Sequence, residues 1–233
     1  MKAPLPPNEN ERLEALRQYA ILDTDPEPVF DDVAQLAASL CGTPKAIMSL
    51  IDEQRQWFKA RVGESARQTP REQAFCAHTI LQPDLLEVED ALADRRFADN
   101  PLVTGAPKIR FYAGAPLVTP EGHALGALCV IDQQPKKLNA EQRENLERLA
   151  RLVMSLLEAR RVSAQLAATT ANVKVLSGLL PICAECKKIR NDRGYWNQVE
   201  AYVQEHSEAT FSHGLCPECA EHFLAELDEK SAQ

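Results

Sequence analysis

Apolar residues along the first 42 positions recur at helical spacing. In "NERLEALRQYAIL", Leu13, Leu16, Tyr19 and Ala20 fall on one face. The prolines of "DTDPEPVFDDVAQLAASLCG" interrupt that helix. A second helix follows, with an inward stripe of Val29, Val33, Leu36, Ala37 and Leu40 and a natural stop at Gly42. The period then changes. "AIMSLID" and "QWFKARV" read as two strands joined by the short turn "EQR". "FCAHTIL" reads as a short helix, "LLEVEDA" as a strand and "DRRFADNPLV" as helix or loop. "IRFYAGAPLVT" and "ALGALCVID" form a hairpin through the turn "PEGH". Residues 1–9 precede the first periodic segment and are expected to be disordered.

From residue 139 to 180 the pattern is different. There is no proline, and no glycine before Gly178. A three-then-four spacing runs through Leu149, Leu152, Leu156, Ala159, Ser163, Leu166, Thr170, Val173, Ser177 and Leu180. Leu146 and Val153 widen the apolar face at the start, so the first turns pack on the preceding domain. Beyond Arg160 only a narrow seam remains, and a long helix with so thin a stripe cannot bury itself alone. The expectation is a homodimer, paired as a parallel coiled coil through the helix of residues 149–180. The alternative is a single amphipathic helix lying on its own domain.

Composition narrows the class. The chain has 233 residues and is 45% hydrophobic, which suits one or two domains with a sizeable core. The N-terminus lacks a secretory pattern, and no apolar run approaches the roughly 18–20 residues of a membrane helix. A cytoplasmic location is expected, with no membrane contact. Net charge is −8, and the segment from Pro181 onward carries ten acidic against five basic side chains. Such a surface repels phosphates, so a nucleic-acid partner is disfavoured and a zinc-ribbon DNA-binding regulator is a minor alternative.

The seven cysteines split into two groups. Cys183, Cys186, Cys216 and Cys219 form two Cys-x-x-Cys pairs, the arrangement in which four thiolates bind structural Zn2+ tetrahedrally. Twenty-nine residues separate the pairs, more than the usual spacing of about 15–20. Lengthening the loop costs only about 0.4 kcal/mol, because closure entropy grows with the logarithm of length. The insert is therefore expected to be folded, with Val199, Tyr202 and Val203 on one helical face and Asn197 as its N-cap. His213 is expected in the second shell of the ion, or as an alternative ligand. Cys-x-x-Cys-His haem attachment fails, since Lys187 and Ala220 follow the pairs, and a thioredoxin-like site fits two pairs poorly. Cys41 and Cys129 read as core.

The segments "FCAHTIL", "VEDALADRRFADNPLV", "IRFYAGAPLVTPEGHALGALCVID" and "LNAEQRENLERLARLV" resemble a GAF domain, over about residues 10–160. The resemblance implies an α+β fold: a PAS-like antiparallel sheet flanked by helices, with a ligand-sized pocket under one face. A long coiled-coil helix and a small zinc-ribbon-like module would follow. The divisions are 10–138 for the GAF domain, 139–180 for the helix and 181–233 for the zinc module. The implied pocket would draw on Phe75, Cys76, His78, Phe97, Phe111 and Tyr112. Some GAF domains attach a bilin at a Cys-His dipeptide; here Ala77 separates Cys76 from His78, a departure from that pattern. The tail from "GLLPICAECKKIR" through "FSHGLCPECAEHF" is similar to a segment at the ends of bacterial two-component and sensor proteins, implying a signalling accessory module. The expected function is non-enzymatic: a sensory domain binding an unknown small molecule or partner, coupled through a dimeric helix to a zinc-stabilised docking module that meets a signalling protein. A thiol-based redox enzyme or sensor, similar to the GAF-fold methionine sulfoxide reductases, is the alternative.

Overall fold

The computed structural model describes residues 2–174, 181–190, 194–206 and 210–223. The chain forms two compact units, the first ending at Ser163 and the second beginning at Ala164.

In the first unit, α1 (Glu9–Gln18) and α2 (Pro28–Cys41) precede an antiparallel sheet. Its strands are β1 (Lys45–Ile51), β2 (Arg55–Val62), β3 (Gln68–Pro70), β4 (Leu86–Val88), β5 (Phe111–Val118) and β6 (Ala124–Asp132), in the spatial order β3-β2-β1-β6-β5-β4. Two short helices, α3 (Cys76–Thr79) and α4 (Pro101–Thr104), lie in the long connections on either side of β4. The helix α5 (Ala140–Lys174) follows β6.

The pleat divides the strand residues between two cores. Met48, Leu50, Phe111, Ala113, Leu128 and Val130 face α2 and α5. Their neighbours Ile47, Phe58, Tyr112, Cys129 and Ile131 face α3 and the segment around β4 and α4. A register shift between Met48 and Ser49 interrupts this alternation, because Met48 pairs with Ala60 while Ser49 pairs with Phe58. Lys59 is the residue left over. Its side chain is fully buried, and its ammonium donates to Thr24 Oγ1, the Asp25 carbonyl and Glu27 at 2.6–2.8 Å.

Several expectations change here. The inward face of α2 is Phe30, Val33, Ala34, Ala37, Ala38 and Cys41, whereas Val29, Leu36 and Leu40 are exposed. The alanines let the helix backbone approach the sheet closely, and this rotates the leucines outward. Gly42 does end the helix, in the left-handed conformation at φ 59. Along α5 the core takes Leu146, Ala150, Val153, Met154 and Leu157. The heptad seam is a separate stripe: Leu149 and Leu156 are half-buried, while Leu152 and Leu166 are exposed. Seam positions 175–180 lie outside the described residues. The segment before α1, expected to be disordered, runs along the domain. Pro6 is buried, Ala3 packs on the second core and Asn8 reaches His123 at 3.3 Å. Its small and proline residues cost little side-chain entropy to fix.

In the second unit, β7 (Ile189–Arg190) pairs antiparallel with β8 (Trp196–Asn197), followed by α6 (Val199–His206). Residues 217–223 are helical. Asn197 sits in β8 rather than capping α6, which begins two residues later. Val199, Tyr202 and Val203 are half-buried, as their shared face predicts.

Candidate functional site

Under the second face of the sheet lies a cavity of about 420 Å³. Ile47, Phe58, Ile109 and Ile131 give it apolar walls, and Gln56 and Thr69 place polar groups inside. Lys45 and Glu64 also line it and pair with each other at 2.8 Å. Small-molecule sites usually occupy about 300–1,000 Å³ with a few polar groups on apolar walls. This cavity falls within that description.

Three of the residues expected in the pocket, Phe75, Cys76 and Tyr112, line the cavity. Phe97 stands behind the wall, stacked on Phe75 with ring centres 4.1 Å apart and planes 6° apart. His78 meets Phe97 edge-on at 4.8 Å. Phe111 belongs to the opposite face and is a correction. It is one residue from Tyr112 on β5, and alternation along a strand cannot turn both inward.

Cys76 is the most connected of these. Gln56 Nε2 donates to its sulfur at 3.0 Å and the Tyr112 hydroxyl does so at 3.2 Å. The Cys129 sulfur lies 3.6 Å away. Gln56 also donates to Ser49 Oγ at 2.9 Å and accepts from Thr69 at 3.2 Å. Burial pushes the Cys76 thiol up, but hydrogen bonds with Cys129, Ser49, Tyr112 and Gln56 outweigh it and lower its pKa. Cys129 moves well up, through its bond to Cys76 and then through burial. Tyr112 also moves well up, by burial and by the neighbouring sulfurs. The sequence reading of Cys129 as core holds for its burial but misses its place in the cavity wall. Nothing local in the sequence signals that place: Cys129 reaches the wall through its pairing with Ile47 on one side and Gly114 on the other, at the centre of the sheet.

Gly114 has a specific role here. A Cβ at that position would run into the hydroxyl of Tyr112. The bare backbone lets the phenol lie over the strand and reach Cys76 and Thr79, the latter at 2.6 Å.

In the second unit, each cysteine pair is arranged locally. Cys183 N–H donates to the Lys188 carbonyl at 2.8 Å, Lys187 N–H donates to the Cys183 carbonyl at 3.1 Å, and Lys187 takes φ 60. This tight turn aims backbone N–H groups at the Cys183 sulfur. Its pKa is lowered by those of Cys186 and Glu185 and by the Cys186 side chain. Cys216 immediately precedes the helix of residues 217–223, and its carbonyl accepts from Ala220 N–H at 2.9 Å. Its pKa is lowered by the backbone and side chain of Cys219. Two thiols brought together on a tight turn have the donor chemistry of a half-site for zinc. Among the described residues, no three His, Cys, Asp or Glu side chains gather where they could hold one ion. His213 is exposed.

The GAF domain family profile matches residues 25–157. A cyclic di-GMP phosphodiesterase of Pseudomonas aeruginosa is 48% identical over 153 residues, which are 65% of this chain and 26% of that protein. The chain thus spans about a quarter of the length of that relative. Among solved structures, the GAF domain of a phosphoenolpyruvate-protein phosphotransferase from Coxiella burnetii superposes with a TM-score of 0.51 at 13% identity, covering 66% of this chain and 96% of that one. The photosensory core of a Stigmatella aurantiaca phytochrome gives 0.50 at 14% identity, over 71% and 40%. At such identities these two likenesses concern the fold alone.

Proposed function

The chain belongs to the GAF domain family, and on that premise we propose that it is a signal-transduction protein whose GAF cavity binds a small molecule and whose helix and cysteine-rich tail carry the response. The observation that carries this reading is the cavity itself: about 420 Å³ of largely apolar wall with Gln56 and Thr69 facing in. The likeness to a segment of a cyclic di-GMP phosphodiesterase supports a signalling setting. The phosphodiesterase activity belongs to a protein of which the match covers 26%, and it is not carried over.

The rest of the proposal concerns the helix and tail. Leu152, exposed at a seam position on α5, supports a homodimer joined through the helix of residues 149–180. Cys183, Cys186, Cys216 and Cys219 would hold structural zinc, with His213 nearby in sequence. The metal would supply the cross-link that a segment with so small a core lacks. A ligand can shift such a helix only by binding its alternative packings with different affinity. The partner of the tail would be another signalling protein. Its acidic balance disfavours nucleic acid, and no described helix is long and apolar enough to cross a membrane.

The test is native mass spectrometry of the full chain purified from cells. The expected spectrum is a dimer carrying one zinc ion per chain and a co-purifying small molecule, which Ile109→Trp in the cavity wall should displace. A monomer with no added mass would overturn the reading.

A further inference from the structure

The sensory reading leaves one feature of the cavity unused. Cys76 on α3 and Cys129 on β6 are 53 positions apart in the chain, yet their sulfurs lie 3.6 Å from each other and both line the cavity. A buried free cysteine ordinarily behaves as a small apolar group. Here Gln56 Nε2 and the Tyr112 hydroxyl converge on the Cys76 sulfur, at 3.0 and 3.2 Å. A neutral thiol is a weak acceptor and satisfies such donors poorly, whereas a thiolate satisfies them well. Thr79 and Ser49 hold the two donors in place, and Gly114 leaves room for the phenol. The arrangement favours negative charge on Cys76 while Cys129 keeps its proton.

We infer that Cys76 and Cys129 form a hydroperoxide-reactive dithiol in the cavity, with Cys76 the attacking sulfur and Cys129 the resolving one. In the first step the Cys76 sulfur gives an electron pair to the outer oxygen of R–O–O–H. The O–O bond breaks, the Cys76 thiolate becomes a sulfenic acid, and the alkoxide takes up the proton that the thiol released on ionising and departs as R–OH. In the second step the Cys129 sulfur attacks the Cys76 sulfur. The S–O bond breaks, a disulfide forms, and the hydroxyl takes the Cys129 proton and departs as water. The two thiols are oxidised by two electrons and the hydroperoxide is reduced by two. Going from the 3.6 Å contact to a disulfide requires the sulfurs to close by about 1.5 Å. The inference stands independently of the metal in the tail.

The test uses the full chain, with hydrogen peroxide in small molar excess as the probe. Remaining thiols are then blocked with N-ethylmaleimide in denaturant, and peptides are mapped by mass spectrometry. The expected product is a Cys76–Cys129 cross-linked peptide, with Cys41 still alkylated; burial holds the Cys41 thiol at a pKa of about 11. In Cys129→Ser, dimedone should capture Cys76 as the sulfenic acid. Tyr112→Phe keeps the ring and removes one donor to the sulfur, and should slow the cross-link by about tenfold. Because the wild-type map is itself decisive, the result does not depend on any variant folding. Oxidation confined to the tail cysteines, a Cys76 disulfide to any other residue, or an unchanged rate in Tyr112→Phe would overturn the inference.

Discussion

The GAF domain and the cysteine-rich tail differ most in what they bury. The domain sandwiches its sheet between two apolar clusters, with Phe30, Leu125, Phe97 and Tyr112 fully enclosed. Among the described tail residues Ile189 alone is buried, and Tyr195, Trp196, Phe211 and Phe223 are exposed. Each enclosed large apolar side chain contributes about 1.5–3 kcal/mol. Ordering the backbone costs about 1–2 kcal/mol per residue. The domain can offset that cost from its own packing, and the tail cannot. Cysteine is put to opposite uses as a result. Cys41, Cys76 and Cys129 sit inside a core that exists without them, whereas the four tail cysteines are the groups through which a metal would create the missing cross-link.

The comparison can be broken from either side. The largest effect is expected from Cys183→Ser or Cys216→Ser. Structural zinc contributes on the order of 10 kcal/mol in small modules, so removing one ligand should leave the tail open to protease from about residue 164 onward. Limited proteolysis should show the domain band unchanged. Next in size is Phe30→Ala, at a position 1% exposed between α2 and the sheet. It should cost the domain about 4 kcal/mol in urea denaturation while zinc content stays the same.

A smaller, pH-dependent effect sharpens the picture within the domain. Arg12 is buried and donates to both carboxylate oxygens of Glu9 at 2.8–2.9 Å, and Arg71 adds a contact at 2.5 Å. Burial alone would raise the Glu9 pKa, but the two guanidiniums outweigh it and set it at about 2, against an ordinary value of 4.5. A carboxylate depressed in the folded state stabilises above its unfolded pKa, and loses that contribution as pH falls through the folded value. Glu9→Gln should therefore cost about 3 kcal/mol at pH 7, because it leaves a buried guanidinium without its anion. The gap from wild type should narrow below pH 4.5 and close near pH 2 in acid-unfolding curves.

Much of the domain was legible in the sequence because its main strands are short apolar runs bounded by turn residues. β1, β2, β5 and β6 fall where "AIMSLID", "QWFKARV", "IRFYAGAPLVT" and "ALGALCVID" place them. The face of α2 was misread because leucine was taken as the inward residue. Close approach to the sheet favours Ala34, Ala37 and Ala38, whose small size carries no strong apolar signal. The cavity was half legible. Phe75, Cys76 and Tyr112 sit near one another in motifs, whereas Cys129 and Gln56 join them only through strand register, which a single sequence does not display. Phe111 went astray because the aromatic pair at 111–112 was read as a unit, although alternation sends its members to opposite cores. In the tail the two cysteine pairs announce themselves by spacing. Whether the two pairs meet is not written in the local pattern.

The most direct measurement is hydrogen exchange on the full chain, with and without a zinc chelator. Amides in residues 181–223 should be protected in the zinc-loaded protein and lose that protection on chelation, while those of β1, β2, β5 and β6 exchange unchanged. Tail protection that survives complete zinc removal, or sheet amides that open together with the tail, would contradict a domain held by its own core and a tail held by a metal.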